Sequence, residues 1–310
     1  MKLNILKQVM MNKVLYSLLP IIIFSIYLFG WRVLSVIIFT NAVSYLTEWF
    51  MIRKKPNAKV SMAVFVTGTL LALTLPPSIP LWIAGVGAVV GVIFGKMVFG
   101  GFGANIFNPA IVGRTFIYIS FPQAMTVKWL TPFSGFPGGF TRWGGGINSN
   151  LITSASPMSA LSEGITEPLS NLFFGFIPGS MGETSALLIV VAAIYLIFTK
   201  TAKWQAMLSC LLAFVLFNAL FNPENIVNNI FSGGILFGTV FMITDPISMS
   251  KTKQGIWIYG LIVGFLTVFI RKFSLFTEGF MFALLLGNTF MPIIDYLIQK
   301  STSKKAKQVK

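Results

Sequence analysis

The sequence predicts an all-α polytopic membrane protein of about ten transmembrane helices, arranged as two inverted five-helix repeats. Three observations predict it: apolar runs that fill the chain from end to end, basic residues that collect between alternate runs, and a motif that recurs in the same order in both halves. Hydrophobic residues make up 55% of the 310 positions, charged residues only 10%, and mean hydropathy is +0.82. A soluble domain of this composition would have nowhere to put its apolar surface, so the chain reads as a single membrane domain over 1–310.

Crossing a hydrocarbon core of roughly 30 Å at 1.5 Å per residue takes about 20 residues. Runs of suitable length and apolarity lie near 14–30, 33–52, 60–76, 80–99, 105–121, 185–199, 204–221, 229–245, 255–270 and 276–298. With the N-terminus inside, the cytoplasmic segments hold 16 basic residues, among them Lys7, Arg53, Lys54, Lys200, Lys251 and Lys304; the outer segments hold five, Arg32, Lys128, Arg142, Arg271 and Lys272. That bias fixes both termini on the cytoplasmic side. The first repeat then covers about 14–121, a Gly-, Pro- and Ser-rich outer loop about 122–184, the second repeat about 185–298, and a cytoplasmic tail 299–310.

The net charge of +15 is consistent with this reading and not with nucleic-acid binding, because the basic residues sit in short clusters beside apolar runs. The chain has no histidine and one cysteine, Cys210, inside an apolar run. This excludes His-based acid/base chemistry, haem ligation by His, an internal disulfide and a Cys-ligated metal cluster, so no catalytic or metal-ligating residue is assigned. No cleavable signal is evident, since the first apolar run lacks a small-x-small exit and further spans follow it.

The repeat is readable residue by residue. Gly68-Thr69-Leu70-Leu71-Ala72-Leu73-Thr74-Leu75-Pro76 aligns without gaps with Gly238-Thr239-Val240-Phe241-Met242-Ile243-Thr244-Asp245-Pro246, and Asn105 to Pro109 matches Asn288 to Pro292 in the form N-x-F-x-P. Five spans per unit is an odd number, so the two units run in opposite directions through the membrane. Proline lacks a donor and crowds the preceding turn, so Thr74 to Pro77 and Thr244 to Pro246 are expected to break their helices, with the freed backbone groups facing a cavity. Asp245 falls at the second break, near the cytoplasmic face. Two readings of it stay open: a cation or polar-cofactor site, or a solvated helix end paired with Lys251 or Lys253.

Gly100-Gly101-Phe102-Gly103 precedes Asn105, Asn108 and Arg114. Such a loop brings backbone amides close to an anion or a flat ring edge, although small residues also serve helix packing. Arg114 within an apolar stretch needs a buried partner or an anionic ligand. For Glu48, Glu278 and Asp295, all at or near span ends, an interfacial position is a sufficient account.

Three stretches together resemble one family: Leu73 to Trp82, Phe99 to Ala110, and Thr244-Asp245-Pro246-Ile247-Ser248. They are similar to the membrane component shared by two respiratory complexes, the D subunit of the Rnf ferredoxin:NAD oxidoreductase and the B subunit of the sodium-pumping NADH:quinone oxidoreductase (Nqr), over roughly residues 60 to 298. The resemblance implies ten spans in two inverted halves, in agreement with the reading above. It also implies covalent FMN, linked through its phosphate to an outer-loop threonine within a pattern like Asp-x-x-Ser-Gly-Ala-Thr. Here Ser156 occupies the flavin-bearing place, Ala155 is retained, Thr153 stands for the Ser and Asn150 replaces the Asp. A serine hydroxyl forms the same phosphoester; loss of the acidic residue bears on recognition by the flavin transferase that would modify the chain.

A phosphate-bearing flat ring calls for amides, a cation and aromatic or small residues. The outer loop offers Gly144-Gly145-Gly146, Arg142 and Trp143, and Gly182-Glu183-Thr184-Ser185 opens the sixth span as a helix N-terminus against which the ring is expected to rest. Gly179 to Ser185 also resembles the family at this point. The resemblance implies a flavin-carrying subunit of an ion-translocating electron-transport complex in a bacterial or archaeal cytoplasmic membrane, moving Na+ or H+. Its partners would be the other membrane and soluble subunits, including an outward-facing flavin subunit and iron-sulfur subunits. Riboflavin occurs as a second flavin in the quinone-linked branch, and no motif here assigns it. A solute channel or secondary transporter without flavin remains the alternative, because paired broken helices suit that task equally well.

Overall fold

The computed structural model describes residues 5–55, 59–127, 129–133, 135–144, 157–162, 166–274, 276 and 278–308. Its helices are α1 (Val9–Phe29), α2 (Arg32–Ile52), α3 (Ala63–Leu73), α4 (Leu81–Val92, running into a wider turn Ile93–Met97), α5 (Pro109–Ser120), α6 (Pro122–Thr126), α7 (Pro157–Ser162), α8 (Leu169–Phe174), α9 (Ala186–Phe198), α10 (Trp204–Phe221), α11 (Ile226–Phe231), α12 (Ile235–Phe241), α13 (Lys253–Phe273) and α14 (Gly279–Gln308). A two-residue parallel pairing, β1 (Ile5–Leu6) with β2 (Val60–Ser61), ties the N-terminal segment to the start of α3. The protein is all-α and polytopic. Among the described residues five helices, α1, α2, α10, α13 and α14, are long and apolar enough to cross a membrane, and the remaining apolar runs form shorter helices.

The short helices are short for local reasons. The fifth run becomes helical only at Pro109, because the Asn108 side chain caps the helix by accepting from the amides of Ala110 (3.0 Å) and Ile111 (3.4 Å). The eighth run divides into α11 and α12 around Gly233, whose φ of +70° suits glycine. Helix α3 stops at Leu73 and α12 at Phe241, before the prolines of the repeated motif. At both stops the repeated threonine turns its hydroxyl back on its own helix, Thr74 to the carbonyl of Leu71 (2.8 Å) and Thr244 to that of Val240 (2.6 Å). Beyond the first stop, the carbonyls of Leu73 and Leu75 accept from the amides of Gly182 and Met181, and Arg32 donates to the carbonyls of Pro77 and Ile79. The breaks are therefore satisfied inside the protein, as a non-aqueous surrounding demands. At the C-terminus, α14 continues as helix through most of the segment expected as a tail.

Helix packing repeats between the halves. In the first, α2 packs on α3 and α4, α4 on α5, α3 on α5 and α1 on α3; in the second, α10 packs on α12 and α13, α13 on α14, α12 on α14 and α9 on α12. The halves meet through equivalent members, α1 against α9 and α5 against α14. The core follows the seams, with Leu71, Leu73, Leu75, Phe237 and Tyr259 fully buried, while Tyr16, Leu19 and Ile23 line an exposed apolar stripe of α1.

Candidate functional site

The expected site residues separate into two groups at opposite ends of the bundle. At the end that carries the N-terminus, a cavity of about 60 Å³ lies between the start of α1, the α9–α10 turn, the Gly-rich loop and the break after α12. Lys96, Asn105, Asn108, Phe241, Thr244 and Asp245 line it. Asp245 forms no ion pair with Lys251 or Lys253; its carboxylate accepts from the Ile247 amide (3.2 Å) and the Ser248 hydroxyl (2.9 Å), holding the turn after the break. The cation that shares its cavity is Lys96. Asn108 reaches across the halves to donate to the Met242 carbonyl (3.4 Å), and Asn105 donates to the Phe107 carbonyl (3.2 Å). Asparagine amides, a lysine and a carboxylate around an otherwise apolar space can orient a flat polar ring or hold a desolvated cation.

Lys96 itself is buried against Glu48. Its ammonium lies 2.6 Å from the Glu48 Oε2 and donates to the Ser61 hydroxyl at 2.5 Å, and Glu48 Oε1 accepts from both the amide and hydroxyl of Ser61 (3.0 Å each). Glu48 is thus an internal counter-ion joining α2 and α4 to the start of α3, where the sequence alone suggested an interfacial position.

At the opposite end Arg114 is buried between two carboxylates. Its Nη1 lies 2.6 Å from Glu183 Oε1, its Nη2 lies 3.4 Å from Glu183 Oε2, and Nη2 also pairs with Glu278. The buried partner that Arg114 requires is therefore Glu183, another of the expected site residues, joined by Glu278, for which an interfacial position had sufficed. The three residues tie α5 to the segments that open α9 and α14. Ser185 caps α9 by accepting from the Leu188 amide (3.4 Å), and Thr184 is buried beside it. A crevice of about 20 Å³ adjoins this cluster, lined by Met158, Ser180, Glu183, Thr184, Gly233 and Glu278. Arg142 stands elsewhere: its carbonyl accepts from the Trp31 amide at the α1–α2 turn and its guanidinium lies over the Phe133 ring at 4.9 Å. Asn150, Thr153, Ala155 and Ser156 lie outside the described residues.

Sequence reasoning missed Arg271, counting it as an orienting charge. It belongs to the last turn of α13 and donates to the carbonyls of Asn229 (3.0 Å) and Ser232 (3.4 Å). The available signal was the repeat itself. The offset that aligns Gly68 with Gly238 places Asn218 where the first half has Glu48, and Asn218 accepts from Asn229 (3.4 Å), whose carbonyl Arg271 engages.

Comparison with known proteins matches residues 2–304 to the model of the NQR2, RnfD, RnfE family. Among curated relatives, the chain is 36% identical over 260 residues to the B subunit of the Na(+)-translocating NADH-quinone reductase of Pseudomonas aeruginosa (strain LESB58), covering 80% of this chain and 62% of that protein. It is 36% identical over 259 residues to the protein of the same name from Azotobacter vinelandii, and 35% over 264 residues to that from Klebsiella pneumoniae (strain 342), again covering 62% of each. The chain thus spans less than two thirds of the length of the relatives it matches.

Proposed function

The chain belongs to the NQR2, RnfD, RnfE family, and from that premise we propose that it is the flavin-carrying membrane subunit of an ion-translocating electron-transport complex. The observation that carries the reading is the pairing of two small cavities, each with a few polar side chains in a mainly apolar wall, at opposite ends of the bundle. The cavity with Asp245, Asn105 and Asn108 is at one end, and the crevice beside Glu183, Thr184 and Met158 is at the other. The bias of basic residues supports a cytoplasmic location for the first and for both termini, so that the second would face outward in a bacterial or archaeal cytoplasmic membrane.

On this reading FMN would be esterified through its phosphate to Ser156, which lies outside the described residues. Met158, two residues on, is buried, and the crevice beside it has Ser180 and Thr184 in its wall. When bound, the flavin would supply one- and two-electron transfer. The residues of this chain would hold the phosphate, shield the ring from lipid and keep it next to a fixed internal charge cluster. At the cytoplasmic end Asn105 and Asn108 would orient a second ring, riboflavin, or Asp245 would accept the moving cation. The relatives' name points to Na+ as that cation. Other subunits of the complex, an outward flavin subunit and iron-sulfur subunits among them, would deliver and remove electrons, and a flavin transferase would modify the chain.

The test is flavin fluorescence of the denatured full-length chain isolated from native membranes. The reading expects a fluorescent band that Ser156→Ala abolishes. A chain without fluorescence, and unaffected by that substitution, would be read instead as a solute transporter, which the two broken helices also suit.

A further inference from the structure

Helices α10 and α13 begin side by side at the end of the bundle that carries the N-terminus. Trp204 opens α10 and Trp257 lies in the second turn of α13; their rings meet edge to face with centroids 6.0 Å apart, and both stay exposed. Lys203 directly precedes Trp204, and Lys253 stands four residues before Trp257 on the same face of α13; both lysines are exposed. Beyond the ring pair, Leu208 and Leu212 on α10 and Leu261 on α13 continue this face at helical spacing, and all three are exposed. The surface is therefore cationic at its head, aromatic next and apolar along its length. An open cleft of about 540 Å³ adjoins the head, with Lys253, Gln254, Gln299 and Ser303 in its wall.

Nothing in the chain answers these charges. Among the described residues neither Lys203 nor Lys253 forms an ion pair, and neither do Lys200 and Lys251 beside them. The carboxylates at this end are engaged elsewhere: Glu48 pairs with Lys96, Asp245 accepts from Ile247 and Ser248, and Asp295 accepts from Ser250, Thr252 and the Lys251 amide. The first half treats its helix-opening cation differently, since Arg32 at the start of α2 donates to the carbonyls of Pro77 and Ile79. Charge complementarity selects a negative head for the lysines. The leucines that continue from it select one that carries acyl chains, because an acidic soluble protein would match the lysines and not the leucines.

We propose that the paired starts of α10 and α13 form a binding site for an anionic phospholipid. Lys203 and Lys253 take the headgroup phosphate, the Trp204 and Trp257 rings lie against the glycerol region, and the leucine stripe holds an acyl chain. The site is independent of any flavin and of which ion the complex moves.

The experiment places the full-length chain, in its complex, in bilayers of brominated phosphatidylcholine, which quenches tryptophan on contact. Unbrominated phosphatidylglycerol, whose headgroup is anionic, is then added in steps. The signal followed is the part of the fluorescence that Trp204→Phe/Trp257→Phe removes. The site predicts that phosphatidylglycerol is preferred on the order of 10-fold over phosphatidylcholine. That preference is lost in Lys203→Gln/Lys253→Gln and kept in Arg53→Gln/Lys54→Gln, which removes the same charge from the end of α2. Equal binding of the two lipids by the wild type overturns the proposal. So does a preference that both double variants lose alike, since diffuse surface charge would then account for it. A tryptophan pair that no lipid quenches in the assembled complex would put a protein subunit on this face and overturn the proposal as well.

Discussion

The ammonium of Lys96 sits 2.6 Å from the carboxylate of Glu48, in a part of the protein where both side chains are withdrawn from solvent. Two charges that would each be costly in an apolar interior are made tolerable by facing one another and sharing Ser61. Removing either partner alone strands the other. Glu48→Gln and Lys96→Met are each expected to cost about 3–5 kcal/mol, and the double variant Glu48→Gln/Lys96→Met markedly less than the sum of its singles. Thermal unfolding of the detergent-solubilised protein reads all of these, and an additive double variant would show that the pair is not coupled.

At the other end the two carboxylates on Arg114 are not equivalent. Glu183 offers both oxygens, and its side chain is 5% exposed, whereas Glu278 is 14% exposed and contacts one nitrogen. Glu183→Gln is therefore expected to lower thermal stability more than Glu278→Gln, because burial strengthens the interaction lost and bidentate geometry doubles it. Arg114→Ala, which leaves two carboxylates facing each other, is expected to be worse than either, with a cost above about 3 kcal/mol. Yield of folded protein and midpoint of unfolding measured side by side would reverse this order if Glu278 were the main partner.

Asn108 does two things that substitution can separate. Its Oδ1 caps α5 and its Nδ2 donates across the halves to Met242. Asn108→Asp keeps the cap and places a charge at the favourable end of the helix, but turns the cross-half donor into an acceptor facing a carbonyl. Asn108→Ala loses both and is expected to cost about 0.5–2 kcal/mol through the cap alone. If the amide also orients a ring in the adjoining cavity, Asn108→Asp will reduce binding of added riboflavin, read by fluorescence quenching, more than it reduces stability.

What could be read from the sequence, and what could not, follows from how far each feature reaches along the chain. The helix breaks at Thr74 and Thr244 were legible because proline and the repeated Gly-Thr-x-x-x-x-Thr frame act on their own backbone. The partners of Arg114, Lys96 and Asp245 were not, because they depend on which helices lie side by side. Glu48 and Lys96 meet only because α2 packs on α4, and Glu183 and Glu278 reach Arg114 only because the two halves join through α5 and α14. Composition alone made Arg271 an outer-loop charge, whereas its carbonyl partners Asn229 and Ser232 make it part of the interior. The inverted repeat links the two kinds of information. Once the motif fixes the offset, it relates Asn218 to Glu48, so the buried carboxylate of the first half has a neutral counterpart in the second.

Asp245 and Asp295 both lie in the second half toward the end of the bundle that carries the N-terminus, and the structure gives them different work. Asp295 accepts from the Ser250 hydroxyl (2.6 Å), the Lys251 amide (2.8 Å) and the Thr252 hydroxyl (2.7 Å), fastening the segment that opens α13 to α14. Asp245 satisfies a two-residue turn and faces a cavity whose lysine, Lys96, is already paired with Glu48. Replacing Asp295 by Asn removes acceptor capacity from a saturated carboxylate and is expected to destabilise the protein by about 1–3 kcal/mol. Replacing Asp245 by Asn keeps an acceptor oxygen for one of its two donors and takes the carboxylate out of the cavity, so the unfolding midpoint is expected to stay nearly unchanged. On the function proposed above, a cation entering that space loses its counter-charge, and apparent Na+ affinity should weaken on the order of 10-fold or more, in transport measured with the complex in proteoliposomes. Loss of transport that is not relieved by raising Na+ would remove Asp245 from the cation path.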